Sequence, residues 1–402
     1  MNQVSTLPPR LDRRGSAAGL RSELLGRARA LAPFLESRAG ATEAAGTLPD
    51  DVVAALREAE LFWTLLPAEA GGLGADMLAG LDVLEEVVRA DGSIGWTLMA
   101  NMTGTALAGA FAGDDAADAM FGGGRRAITA GMLGPGGKSV EVDGGLRGSG
   151  NYSFGSGCNH ADWFGAGMLV IEDGKPRTLA SGLPEVRVCF VPRDRVRIDG
   201  NWNVIGLQGT GSYDYTLPEQ FIPWSYTMER TSIEPRRGSP AFVAGIAGYG
   251  CLGHAAVALG LMKRALQEVV AVASSKKRPG YPTVVGDHAV FRREFSRNEA
   301  AYQAIRAFVY QVFTEAQDAA FATGALTPAH RARFRQATTY AHEVAADVVR
   351  FCYTWAGSAA QSRGSVLGRC MRDIGVATQH VFIDPLSMVD AAPPIMAEWA
   401  SD

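Results

Sequence analysis

Near the C-terminus, RCMRDIGVATQHVFIDP (369–385) places an Arg-Asp pair, Arg372 and Asp373, ahead of a lone histidine, His380, in a largely apolar stretch. An imidazole titrates near neutrality, so His380 could take or give a proton at a reacting oxygen. A second stretch, GSGNYSFGSGCNHADWFGAG (148–167), alternates Gly and Ser with aromatics. It makes a poor ordinary strand, since glycine adds no packing. It makes a good wall for a flat ligand: glycines admit a ring closely, and backbone N–H groups and serine hydroxyls can hydrogen-bond to it. A third, WNVIGLQGTGSYDYTLPEQFIP (202–223), sets a polar GTGS turn between apolar segments. Pocket border and simple hairpin turn are equally open there.

Other motifs fail on spacing. GMLGPGGKS has Met132 where a phosphate loop needs its first glycine, and VEVDGGLRGSG after it reads as strand and turn, not helix. GGLGAD (71–76) follows no strand and reads as a loop between helices. The six histidines, at 160, 254, 288, 330, 342 and 380, form no HxxxH pair, so no metal site is expected. His254, His288 and His342 lie in helical runs and read as packing or surface residues. His330 reads as solvated at a helix start, and His160 as a turn residue beside Asp162.

The elements that must hold these residues follow from composition and periodicity. With 402 residues, 47% hydrophobic, 20% charged and a net charge of -4, the chain reads as an ordinary globular protein. It has no basic field to suggest a nucleic-acid partner. Five scattered cysteines suit a reducing cytoplasm, and the first sixteen residues read as a disordered tail without a signal peptide's apolar core. AFVAGIAGYGCLGHAAVALGLM (241–262) is uncharged and long enough to span a bilayer, but its Ala and Gly favour a central helix packed on every side over a membrane span. Helical spacing runs from 17 to 125, with Pro49 expected at a first helical position. Short β-prone runs broken by Gly, Pro and Asp fill 126 to 230. The helical period returns from 231 to 402, where Thr327 and Pro328 mark a helix start. The class is mainly α with a central β-domain.

Four stretches in order, LPDDVVAALREAELFWTLLPAEAGGLGAD, SGNYSFGSGCNHADW, GLQGTGSYDYTLPEQFIP and RCMRDIGVATQH, resemble landmarks of the acyl-CoA dehydrogenase fold. They most resemble its two-component flavin-dependent monooxygenase branch, over about residues 20 to 390. The resemblance implies an N-terminal helical domain, a middle β-domain and a C-terminal four-helix bundle, in a homotetramer. It implies flavin contacts at Gly131, Met132, Ser153, Phe154, Ser156 and Gly157, with Gln379 counted among them. Gly357 and Ser358 match the turn where a neighbouring subunit meets the cofactor's phosphate end, and Arg278 the loop that supplies it a basic residue. The dehydrogenase glutamate is missing from both of its places, one at about Phe382 and one in PAFVAGIAG, with Asp384 displaced from the first.

The implied activity is therefore hydroxylation or N-oxygenation of a small aromatic or natural-product molecule through a flavin hydroperoxide, with O2 as cosubstrate. Reduced FMN or FAD would come from a separate reductase. His380 would act as base or acid, and Ser153 or Ser156 would hydrogen-bond near the flavin N5. Arg372 and Asp373 are expected to be an ion pair anchoring the last helix. The alternatives are an acyl-CoA dehydrogenase-type oxidoreductase, a sugar N-oxygenase and a non-catalytic member of the fold.

Overall fold

A computed structural model describes residues 17–401; the expected N-terminal tail lies outside them. Helix α1 (Ala17–Ala45) buries Leu24, Ala28, Ala32, Leu35, Ala39 and Thr42, a spacing of three and four that makes one inward stripe. Pro49 is extended and stands just before α2 (Asp50–Glu58), one residue outside the expected position. Asp50 and Asp51 occupy the first turn, where carboxylates favour the helix N-terminus. Helices α3 (Met77–Ala90) and α4 (Gly92–Phe111) share Asp91, which ends the first and caps the second by accepting from Ile94 N at 3.0 Å. A short α5 (Asp114–Phe121) leads to the sheet.

The sheet contains β1 (Thr129–Val142), β2 (Gly145–Gly155), β3 (Trp163–Glu172), β4 (Lys175–Pro176), β5 (Val186–Pro192), β6 (Arg197–Ile198), β7 (Tyr213–Pro223) and β8 (Thr227–Glu229). Its order is β6-β7-β2-β1-β3-β5-β8, with β4 on β3, and only β1–β3 is parallel. The glycine-rich 148–155 segment is a strand after all. It is bonded on both edges, to β1 and β7. The Tyr152 ring fills the space that Gly136, Gly137 and Gly150 leave, which supplies the packing their missing side chains cannot. Tyr215 fixes the bend in β1: its hydroxyl donates to Gly165 O and accepts from Met132 N, both at 2.7 Å. Gly131 there has φ 118°, and a Cβ would meet that hydroxyl at 2.8 Å, so only glycine fits.

The C-terminal helices are α6 (Gly245–Ser275), α7 (Ala289–Thr323), α8 (Pro328–Ala356), α9 (Val366–Ala377) and α10 (Leu386–Ser401). The apolar window of α6 is 89% buried among other helices, which is why it needs no charge. Thr327 caps α8 as its sequence suggests, accepting from His330 N at 3.2 Å. All five cysteines are buried and free.

Candidate active site

Helix α4 lays Trp96 against the end of β2. Its indole N–H donates to Ser156 Oγ at 3.2 Å. Ser156 Oγ lies 2.7 Å from Ser212 Oγ, which lies 2.7 Å from Thr210 Oγ1, and the Thr210 hydroxyl donates to Leu207 O at 2.9 Å. The proton directions follow. A carbonyl only accepts, so Thr210 spends its hydrogen on Leu207, Ser212 must donate to Thr210, and Ser156 must donate to Ser212. One lone pair of Ser156 takes the indole N–H, and the other stays free. The GTGS segment is thus no simple hairpin turn; Thr210 and Ser212 are buried members of this chain. Asn101 fastens the corner, donating to Thr129 O at 3.0 Å and Ser156 O at 3.1 Å. Its oxygen lies 2.9 Å from His160 Nε2, so neutral His160 carries its proton there. Burial, then Arg57 and Arg193, pull that imidazole down to about 3. His160 is a turn residue, as expected, and its neutral ring also ties helix α4 to the sheet.

On the other side of Trp96, three histidines from separate elements converge, although sequence spacing shows no cluster. His254 of α6 and His380 just before residues 381–383 have ring centroids 4.0 Å apart, and His342 of α8 lies 6.4 Å from His254. Trp96 lies 4.9 Å from His254 and 5.8 Å from His380, and Phe382 lies 5.5 Å from both. His342 Nδ1 donates to Thr338 O at 2.9 Å, so the Nε2 of its neutral ring is bare, buried and without a partner. His254 Nδ1 is likewise buried and unpartnered. Phe382 N donates to His380 Nδ1 at 3.2 Å, so the neutral ring carries its proton on Nε2. Burial, then the charge of His342, lowers His380 to about 4, and burial lowers His342 to about 4. Burial and the two neighbouring imidazoles push His254 well below the usual value. All three are neutral at pH 7, and His380 Nε2 is a donor.

The residues expected at a flavin do not all meet. Ser156 and Gly157 adjoin Trp96 and Asn101, and Gly131 and Met132 lie on the bend that Tyr215 holds. Ser153 and Phe154 are exposed on the same strand end. Phe154 is 59% exposed with φ 67°, a conformation a bulky residue adopts only under constraint, and its ring meets Trp202 at 6.2 Å. Gln379 is exposed and donates to Thr378 Oγ1 at 3.2 Å. Gly357 and Ser358 sit beside Lys276 and Arg278: Lys276 Nζ is 3.4 Å from Ser358 Oγ, and Arg278 Nη2 donates to Trp355 O at 2.6 Å. That end of α6 is twenty-two residues from His254, about 33 Å along the axis.

Two expectations need correction. Arg372 pairs with Glu43 of α1, and Asp373 Oδ1 accepts from Leu207 N at 2.6 Å, so they are not each other's partners. Adjacent helical residues do not face each other. Asp373 thereby holds the loop that ends the Ser156 chain. Burial, then Asp91 nearby, raises its pKa to about 7. His254 and His342, expected as packing or surface residues, converge at the candidate site, as does Trp96, which the sequence reading did not single out. No carboxylate is ion-paired with the three histidines among the described residues. Asp384 is turned away and accepts from Leu386 N at 2.8 Å.

A helical layer, a sheet with an aromatic and glycine edge, and a bundle bearing neutral imidazoles meet at this candidate site. Comparison with known proteins carries this further. Residues 27–118 match the model for the N-terminal domain of acyl-CoA dehydrogenase, and 252–385 that for its C-terminal domain. The chain is 27% identical over 341 residues to an indole-3-acetate monooxygenase of Pseudomonas putida, covering 85% of each. It is 34% identical over 200 residues to the oxygenase subunit HsaA of a flavin-dependent monooxygenase from Rhodococcus jostii, covering 48% of this chain and 49% of that one. XiaF from Streptomyces sp., solved with FADH2 and glycerol, superposes with a TM-score of 0.87 at 23% identity, over 96% of this chain and 98% of that one. The chain belongs to the acyl-CoA dehydrogenase family, among its flavin-dependent monooxygenase oxygenase components.

Proposed function

We propose that the protein takes reduced FMN or FAD from a separate flavin reductase and uses O2 to oxygenate a small aromatic or natural-product substrate. The observation that carries this reading is the direction of the hydroxyl chain. Ser156 donates its hydroxyl hydrogen bond to Ser212 and keeps one free lone pair, so it offers an acceptor to a ring N–H. N3 carries an N–H in both oxidation states, but only the reduced isoalloxazine has one at N5, where the oxidised ring is an acceptor, so an acceptor placed at N5 favours the reduced form.

The donor and acceptor groups fit the cofactor. Ser156 would accept at the flavin ring, Gly131, Met132 and Gly157 would lie along it, and Phe154 would cover its edge. Reduced flavin, when bound, supplies the electrons that split O2, one atom going to the substrate and the other to water. The residues do the rest. Trp96, Phe382 and the neutral histidines wall the reaction off from water. His380 Nε2–H donates to the reacting oxygen, and its Nδ1 is held by Phe382 N. A dehydrogenase would need a carboxylate base, and Phe382 stands where one belongs.

Gly357, Ser358, Lys276 and Arg278 gather at the far end of α6, about 33 Å along its axis from His254. They would serve the phosphate end of a flavin in a second copy, as a homotetramer allows. The exposed Val389, Met396 and Trp399 on α10 support such assembly. A cytoplasmic location belongs to the same reading, supported by five buried free thiols.

Stopped-flow absorbance tests the proposal. Protein loaded anaerobically with reduced FMN or FAD is mixed with O2. The expected result is a delay between oxygen uptake and return of oxidised flavin, shortened in Ser156→Ala. Reoxidation at the rate of free flavin would overturn it.

A further inference from the structure

A hydroxyl rotates freely, so the direction of a hydroxyl chain is decided where it meets a group that can only donate or only accept. The chain from Ser156 through Ser212 to Thr210 has such a group at each end. At Ser156 the Trp96 indole only donates, and either direction of the chain accommodates that. At Thr210 the Leu207 carbonyl only accepts, and this end decides. Leu207 O also takes the Trp202 indole N–H and the Thr210 amide, both at 3.2 Å, but the 2.9 Å hydroxyl contact is the shortest of the three.

That carbonyl is fixed from several sides. Leu207 is buried with φ 51°, a left-handed backbone that a side chain of its size adopts only under constraint. Asp373 Oδ1 on α9 holds its N–H at 2.6 Å. Gly206 lies so close to α9 that a Cβ would meet Arg372 O at 2.1 Å, and a Cβ at Gly209 would meet Thr42 of α1 at 2.3 Å. Gly209 N donates to Ser93 Oγ of α4 at 3.2 Å. Thr210 O accepts from Gly157 N at 3.0 Å, tying the loop to the turn that carries Ser156. Three helices thus hold one strained residue, and the one group its carbonyl orients along a chain is Ser156. Backbone strain held in place this way is characteristic of functional sites.

We infer that Thr210, acting through Ser212, is a positioning residue that sets which redox state of the flavin the site prefers. With the Thr210 hydrogen on Leu207, Ser156 presents a lone pair outward, the partner of the N5–H that only reduced flavin has. Without the Thr210 hydroxyl, Ser212 is left with Ser156 as its acceptor. Ser156 then releases its own hydrogen outward, and the site presents a donor to the bare N5 of oxidised flavin. This rests on the oxygenase reading for the flavin's place beside Ser156 and adds the residues that make the choice.

The test is titration of full-length protein with FMN and with FAD, oxidised in air and dithionite-reduced without oxygen. Wild type is expected to bind the reduced form at least about tenfold tighter, roughly the worth of one hydrogen bond. In Thr210→Val that ratio should fall about tenfold or more, and the midpoint potential of bound flavin should drop by about 30 mV. Thr210→Ser should keep the wild-type ratio. Ser212→Ala should lose it as Thr210→Val does, and in that background Thr210→Val should change nothing further. A merely structural Thr210 would weaken both flavin forms alike, leaving ratio and potential where they were, and that result overturns the inference. So does wild type binding the two forms equally, or Thr210→Val preferring reduced flavin more strongly, which would mean the chain runs the other way. Those failures leave the oxygenase reading standing, since it needs only that reduced flavin binds. Wild type binding neither form would overturn both.

Discussion

The molecule buries two polar clusters of similar size, and they are finished differently. Where α1, α3 and α7 meet, Glu85 accepts from Tyr302 at 2.8 Å, from Arg306 at 2.9 Å and from Tyr310 at 2.9 Å. Asp82 beside it accepts from Arg21 at 2.6 Å, and the one hydrogen of the Tyr310 hydroxyl, 2.6 Å from Asp82 and 2.9 Å from Glu85, is shared between the two carboxylates. Every buried side-chain polar atom of that cluster has a partner. In the other cluster His254 Nδ1 and His342 Nε2 have none. A buried polar group without a partner lowers stability by about 1–3 kcal/mol. A fold retains that penalty where a ligand will supply the partner, so the closed cluster reads as a fastening and the open one as a site.

The largest effect should come from breaking the closed cluster. Glu85→Gln leaves Arg306 without its buried carboxylate, and about 3 kcal/mol of unfolding free energy should disappear in urea titration. Product formed per folded molecule should not change. Lost activity with unchanged stability would make that cluster functional and erase the contrast. The mirror experiment is His380→Phe. Product per reduced flavin consumed should fall about a hundredfold, the scale of losing one proton-handling group, while the unfolding midpoint stays close to wild type. Full coupling in the variant would return His380 to packing.

The two clusters were not equally legible in sequence. The α–β–α order shows in residue periodicity, and His380 stands out as a lone imidazole in an apolar run. His254 and His342 lie on different helices and look like interior residues of ordinary amphipathic patterns; only the crossing of α6 and α8 brings them together. Trp96 sits in a nearly uncharged helix, where an aromatic reads as core. Gly-Thr-Gly-Ser says nothing about which hydroxyl donates to which, because that depends on Leu207 O arriving from a loop that Asp373 holds. Arg372 and Asp373 mislead because adjacency in sequence is not contact on a helix. Of the three, only His380 lies in a stretch that also carries a family landmark, so a signal existed for it and none for His254 or His342.

Acidity should separate the clusters further. Unfolded imidazoles bind protons below about pH 6.5, whereas His342 and His380 stay neutral in the fold until about pH 4. The unfolded chain therefore binds more protons in that window, and stability falls as pH drops from 6.5 toward 4. Asp373, raised to about 7, acts in the opposite sense, favouring the fold at low pH and losing that contribution as pH rises through 7. In His342→Phe the loss between pH 7 and pH 5 should shrink by about 2 kcal/mol. An unchanged pH slope in urea titrations would mean that His342 is protonated in the fold, and then its Nε2 has a partner.

The smallest effect is the most discriminating, because its sign is unusual. Most substitutions of a fully packed residue destabilise, and exchanging a satisfied buried histidine for phenylalanine should cost at least a kilocalorie or two, roughly. If His254 Nδ1 is an unanswered polar atom, His254→Phe removes a penalty and keeps a ring of similar size beside His380. Stability should then hold or rise by up to about 1 kcal/mol. Coupling of flavin oxidation to product should drop about tenfold, since the atom a ligand would meet is gone. A clear loss of stability would show that the fold itself satisfies His254. A gain in stability with reduced coupling is the pairing expected where stability is held below its maximum for the sake of function.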